Sequence, residues 1–177
     1  MKKTLWSVFF MLLLSCVCAG VLAAIKISTD DLVSLNEKNA LQRQVLAAFG
    51  LPDDVSKFDS QVRTIGNHWR LARTGATAYS ISGMGFWAPI HAVVAVDADK
   101  TTILGIRFFR HGETPGLGGR ISEPWFMRQF EGKRLDAPIR LVMPGGRKEL
   151  NDVDAITGAT ETSRKVEKLI NRVKELQ

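Results

Sequence analysis

Ile90-His91-Ala92-Val93-Val94-Ala95-Val96, followed by Asp97-Ala98-Asp99-Lys100 and then Thr101 to Phe109, is the stretch that decides the fold. Two apolar, β-branched runs flank a short group of turn-forming residues. A connection this short cannot carry a parallel crossover, so the two strands pair antiparallel. Upstream, Thr77 to Ser82 has the same character and predicts another strand of one meander. Downstream, Ile139 to Met143, closed by Pro144-Gly145-Gly146, predicts a further strand. Helical signals surround these runs. Val166, Leu169, Ile170, Val173 and Leu176 recur at three- and four-residue steps with Lys and Arg between them, the period of an amphipathic helix, with Thr160 or Thr162 expected at its N-cap. Ser122 is expected to cap a short helix that has Pro124 in its first turn and Ile121 packed on Phe126. Ser28-Thr29-Asp30-Asp31 is expected to start a helix running from Leu32 to Phe49 and closed by Gly50-Leu51-Pro52. Asp53 to Thr74 reads as a short helix with loops, Val62, Ile65 and Trp69 falling on one face. The sum is an α+β domain: a twisted, mainly antiparallel sheet flanked by helices.

Ahead of that domain, Thr4 to Ile25 contains no charge, with Lys2-Lys3 before it and Lys26 after it. A bilayer needs about 20 apolar residues, so this segment is long enough to span one. The positive-inside rule then leaves Lys2 and Lys3 in the cytoplasm and sends the rest outside. Cleavage near Leu22-Ala23-Ala24, or lipidation at the loose box Leu13-Leu14-Ser15-Cys16, are the alternatives; the length of the apolar run favours a retained single-pass anchor in the cytoplasmic membrane. All three readings export the domain to the periplasmic side. The division expected is therefore an anchor or signal over residues 1–26 and a domain over 27–177.

Composition narrows the chemistry. Both cysteines, Cys16 and Cys18, lie in the apolar segment, so the exported part has no thiolate for zinc, iron–sulfur or haem. His68, His91 and His111 have no metal-ligand spacing, and no metal site is expected. The net charge of +6 is spread along the chain as interspersed pairs rather than a basic stripe, which argues against nucleic acid as a partner. No nucleophile elbow or phosphate-binding loop with its Lys-Ser/Thr end is present, so no catalytic residues are assigned.

Three motifs remain. Asp154-Ala155-Ile156-Thr157-Gly158-Ala159-Thr160 puts a hydroxyl between a glycine turn and a helix start, where free N–H groups and the helix dipole favour a phosphate. An ordinary capped helix explains the same residues. Gly83-Met84-Gly85-Phe86-Trp87-Ala88 matches a degenerate dinucleotide fingerprint, but Pro89 and the strand that follows deny it a helix; a turn that sets Phe86 and Trp87 against a flat ligand, or a hairpin with aromatic core residues, fits better. His111-Gly112-Glu113-Thr114-Pro115-Gly116-Leu117-Gly118-Gly119-Arg120 is a glycine-rich loop after a strand. It would suit a planar heterocycle, with Glu113 and Thr114 as polar contacts and Leu117 as an apolar wall; a plain strand-to-helix turn is the alternative.

Together the single N-terminal span, the helix around Leu35 to Leu46, Gly83-Met84-Gly85-Phe86-Trp87, the His111 to Gly119 loop and Thr157-Gly158-Ala159-Thr160 resemble the FMN-binding family. That family includes the C subunit of the sodium-translocating NADH:quinone oxidoreductase and the G subunit of the Rnf electron-transport complex. The resemblance implies FMN joined through its phosphate to Thr160, with Thr157, Gly158 and Ala159 completing the attachment motif. It also implies a flavin transferase that uses FAD and magnesium, Asp154 matching the acidic residue that opens its recognition sequence. Ring contacts would come from Trp87, Glu113, Thr114, Leu117 and Gly118. The chain departs in being shorter than the sodium-pump subunit and in having Thr157 where Ser is common; the length bears on which complex it serves. The implied role is a redox carrier rather than an autonomous enzyme, partnered by other subunits of an ion-translocating membrane complex. A stand-alone extracytoplasmic FMN carrier and a non-catalytic flavin-binding sensor are the rival roles.

Overall fold

A computed structural model of the protein describes residues 2–146 and 149–176. It divides into two compact units, Met1–Ala40 and Leu41–Gln177. The first unit is helical and apolar. Helix α1 is assigned over Lys2–Ala48, and within it lies a segment long and apolar enough to cross a membrane. Ser28 and Thr29 do not cap a new helix, contrary to the sequence expectation. Their hydroxyls donate back to the carbonyls of Ala24 and Ile25, at 2.8 and 2.9 Å, which lets the helix run on through them.

In the second unit, five antiparallel strands form one sheet in the order β1-β2-β3-β4-β5. These are β1 (Val62–Ile65), β2 (His68–Leu71), β3 (Thr77–Met84), β4 (Pro89–Val96) and β5 (Ile103–Arg110). The β4–β5 turn falls at Asp97–Lys100 as its residues predict, Asp97 N–H donating to Thr102 O at 2.8 Å. The reading of residues 53–74 needs correction. Only Phe58–Gln61 is an α-helix there (α2), and β1 and β2 form a hairpin whose turn uses Gly66 at a φ of 59°. The backbone at Gly66 is left-handed, a conformation open to glycine, so it makes a tight turn rather than a broken helix.

Strand β4 explains the layers. Every residue from Ala92 to Val96 is buried, so the strand needs cover on both faces. On one side Ala92, Val94 and Val96 meet Val166, Leu169, Ile170 and Val173 from α4 (Thr160–Asn171) and the 3-10 turn after it, with Phe126 of α3 (Pro124–Arg128) and Phe130. On the other, Val93 and Ala95 meet Val45, Leu46 and Ala48 from the end of α1, with Phe58 of α2. Gly105 on β5 lets that helix end approach, since a Cβ there would lie 2.6 Å from Ala48 O. The strand expected at Ile139 to Met143 is β6 (Arg140–Val142). It pairs in parallel with β7 (Asp152–Asp154) as a separate ladder, which leads the chain into α4. Arg140 Nε holds the buried Asp152 carboxylate at 3.0 Å across that ladder. Two helix starts differ from expectation. The residue before α3 is Glu123, and Ser122 instead donates its hydroxyl to Phe108 O at 3.1 Å. The N-cap of α4 is Ala159, so Thr160 and Thr162 lie inside the first turn.

Gly105→Ala should cost about 1–3 kcal/mol through overpacking against Ala48, read as a lower midpoint in denaturant unfolding. The β4–β5 turn carries a pH signature. Asp99 accepts the side-chain and backbone donors of Thr102 first and those of Thr101 next, which hold its carboxyl well below the ordinary carboxylate range. A depressed folded value means the contribution is complete above the unfolded value of about 4 and is lost as pH falls below it. Thermal melts across pH 2–5 should therefore fall more steeply for the natural chain than for Asp99→Asn.

Candidate functional site

A cavity of about 400 Å³ opens where three loops meet: the β3–β4 turn, the loop after β5 and the start of α4. Trp87, Glu113, Thr114, Leu117, Gly118, Gly158, Ala159 and Thr160 line it, so eight of the nine residues expected to hold a cofactor come together. Phe86, Glu161 and Thr162 complete the wall. Thr157 is exposed and lies outside this lining. Asp154 sits on β7, its N–H donating to Gln129 Oε1 at 2.8 Å, and likewise does not line the cavity.

The wall is tied together by one carboxylate. Glu113 is only 5% exposed. Its Oε1 accepts the N–H groups of Phe86 and Trp87 at 2.8 and 3.1 Å, and its Oε2 accepts the Thr162 hydroxyl at 2.5 Å. A buried carboxylate requires donors on both oxygens, and here they come from two separate walls of the cavity. Glycines make the space. A Cβ on Gly85 would strike Glu113 Oε1, and one on Gly118 would fall 2.8 Å from Oε2 and 2.5 Å from Thr162 Oγ1.

Behind the carboxylate, a second chain of bonds fixes the loop. Because Ser122 Oγ donates to Phe108 O, it accepts from His111 Nε2 at 2.8 Å. The ring proton is thereby assigned to Nε2, leaving Nδ1 to receive the Glu113 N–H in a long 3.4 Å contact. Sequence reading assigned His111 no role and Ser122 the wrong one, since both act through partners distant in the chain. The pairing of Glu113 with Thr162 was equally invisible, the two being separated by 49 positions.

The hydroxyls of the threonine motif divide by burial. Thr162 is 4% exposed and committed to Glu113; Ser163 is 1% exposed, donating to Ala159 O and accepting from Ile156 N–H. Thr160 is exposed, and among the described residues its hydroxyl has no hydrogen-bond partner. It stands in the first turn of α4, where backbone N–H groups have no acceptor within the helix. Gly158, at a φ of 81°, turns the chain into that position.

The model of the FMN-binding domain family matches residues 85–175, just over half of the chain. The chain belongs to that family. It is 44% identical over 99 residues to the C subunit of the Na(+)-translocating NADH-quinone reductase of Yersinia pestis, a match covering 51% of this chain and 36% of that protein. The corresponding protein of Chlamydia pneumoniae is 33% identical over 113 residues, covering 52% of this chain and 35% of that one. The matched part thus spans about a third of the length of these relatives. Two crystal structures share the fold at 24% identity. NqrC of Shewanella oneidensis superposes with a TM-score of 0.69, over 78% of this chain and 94% of that one. The C subunit of the Na(+)-translocating NADH-quinone reductase of Parabacteroides distasonis gives 0.70, over 82% and 94%.

The lining fits the family's ligand. Phe86 and Trp87, packed edge to face at 4.8 Å between ring centroids, and Leu117 offer apolar surface to a planar ring. The start of α4 offers N–H groups to a phosphate. In this FMN-binding domain the carboxylate of Glu113 faces protein donors at both oxygens, so its part in shaping the cavity is to join the aromatic turn to the helix start. Thr162→Val removes the donor from one buried oxygen and should destabilise the fold by about 1–3 kcal/mol, whereas Thr162→Ser keeps most of that stability. Denaturant titration of the two variants against the natural chain measures the difference.

Proposed function

We propose that this chain is an electron-carrying flavoprotein, holding one FMN through a phosphoester to Thr160 and serving as a subunit of a membrane complex of the Na(+)-translocating NADH-quinone reductase type. The observation that carries this reading is the separation of hydroxyls at the cavity. Thr160 is exposed on its lining, while Thr162 and Ser163 are buried and already bonded. A flavin transferase would break the pyrophosphate of FAD, pass the FMN phosphoryl group to Thr160 Oγ1 and release AMP, the hydroxyl giving up its proton. Asp154, two residues ahead of Ile156 and steadied by Gln129, would belong to the sequence that such an enzyme reads.

Bound FMN would take up and hand on electrons singly or in pairs, a role that needs no cysteine from the domain. The chain's own residues then have simple tasks. The first turn of α4 receives the phosphate, Trp87, Phe86 and Leu117 bound the ring, and Thr114 and Gly118 shape the loop beside it. The apolar segment of α1 would hold the protein in the cytoplasmic membrane as a single pass, with Lys2 and Lys3 inside and the domain on the periplasmic side. Other subunits of the complex would supply and accept the electrons, which detergent pull-down tests as recovery of multi-spanning membrane proteins.

Coexpression with a flavin transferase should raise the intact mass by one FMN less one water and give a band that fluoresces after denaturing electrophoresis. Thr160→Ala should lose both signals, whereas Ser163→Ala should keep them. A Thr160→Ala band that still fluoresces would overturn the attachment site.

A further inference from the structure

The end of the sheet away from the flavin cavity carries features that flavin binding does not use. Strand β1 ends the sheet, and among the described residues the one backbone bond on its outer side is that of the Val62 N–H to Phe58 O of α2, which leaves Thr64 open there. The opposite edge is treated differently: β5 and the residues before it are met by the loop after α3, through Ile103 N–H to Lys133 O at 2.9 Å and Leu135 N–H to Thr101 O at 2.8 Å. On β1 the register sets Arg63 directly across from Arg70 and Ile65 across from His68. Like charges in that position repel. Among the described residues neither arginine has an ion pair, nor do the neighbouring Arg73 and Lys100.

Beside this pair lies a cavity of about 350 Å³, lined by His68, Arg70, Thr77, Tyr79, Asp97 and Lys100 among others. Arg70 reaches over the Ala72–Gly75 turn, its Nη2 lying 3.6 Å from where a Gly75 Cβ would be. The hydroxyls of Thr77 and Tyr79 have no partner among the described residues. Asp97 is the one acid on the lining, and its Oδ1 accepts the Ala98 N–H at 2.7 Å. Two large exposed apolar side chains border the cavity, Ile65 at 44% and Leu176 at 49% exposure. The length of β3, which reaches from Thr77 here to Met84 beside the aromatic turn, separates the two cavities by about 25 Å. Strands β1, β2 and β3 also precede the segment matched by the family model.

We infer that the β1 edge and its basic cavity are a docking site for an acidic, extended polypeptide segment of a partner protein. Added to the sheet as a further strand, that segment would pair with the open edge and lay alternate carboxylates on the face that carries Arg63 and Arg70. The unpaired edge decides between anionic occupants, because a strand satisfies its N–H and C=O groups and a lipid surface does not. The inference stands apart from flavin attachment, so loss of either reading leaves the other in place.

The test uses the full chain in detergent and a short labelled peptide of alternating Glu and Val, followed by fluorescence anisotropy. The natural chain should bind it, more weakly as salt rises, with new amide-exchange protection at Thr64, whose N–H faces the open edge. Arg70→Glu should weaken binding about tenfold or more. The same change places a carboxylate across from Arg63, so the variant should melt no lower than the natural chain, which separates lost binding from lost folding. The same peptide N-methylated at every residue keeps its charge but has no N–H to donate from either edge, and it should not bind. Equal binding of the methylated peptide, unchanged affinity in Arg70→Glu, no protection at Thr64, or Arg70-dependent capture of phosphatidylglycerol vesicles in place of the peptide would each overturn the proposal.

Discussion

Strand β4 cannot be left open on either face, and much of the domain follows from that. With Ala92 to Val96 wholly buried, the sheet needs one layer from α4 and α3 and another from the end of α1 with α2. Close approach on the second face is possible because Gly105 has no side chain to meet Ala48. The strand's two ends then become the domain's two ends. One presents the turn at Phe86 and Trp87, which forms a wall of the proposed flavin cavity; the other presents the Asp97–Lys100 turn, which borders the basic cavity.

Within this frame, a single buried carboxylate gives the cavity at the start of α4 its shape. Burial of Glu113 would be costly without donors, and the three it has belong to segments 26 to 49 positions away. That cost makes the arrangement specific: if either wall shifts, an oxygen loses its partner. The glycines at 85 and 118 are required on the same account, since any larger residue would occupy the space of the carboxylate or its hydroxyl donor.

The parts of the fold legible in the sequence are those where one chain segment is enough. An apolar run, a polar turn and another apolar run yield β4 and β5 with bounds shifted by no more than two residues, and a three- and four-residue period gives α4. Elsewhere the same residue type serves two geometries. Ser28 and Thr29 can cap a helix or donate back to it, and the apolar residues on either side favour continuation. The β1–β2 hairpin lacks a clear alternation because its strands are four residues long, with mostly exposed side chains on β1. Most cavity residues were recognisable as a family pattern. The contacts that hold them, Glu113 to Thr162 and His111 to Ser122, depend on how distant segments meet and leave no local periodicity to read.

The unequal burial of the threonine motif also implies an order of events. In an extended chain Thr157, Thr160, Thr162 and Ser163 are four similar hydroxyls within seven residues. Folding withdraws Thr162 and Ser163 by giving each a partner, and the cavity distinguishes Thr160 from Thr157. Under the proposed attachment at Thr160, an enzyme acting on the folded domain would need little discrimination of its own, because the substrate has already removed the wrong choices. Loading after folding would be accurate by construction, and a misfolded copy, its hydroxyls all equivalent, would lack the single addressed position that marks a finished domain.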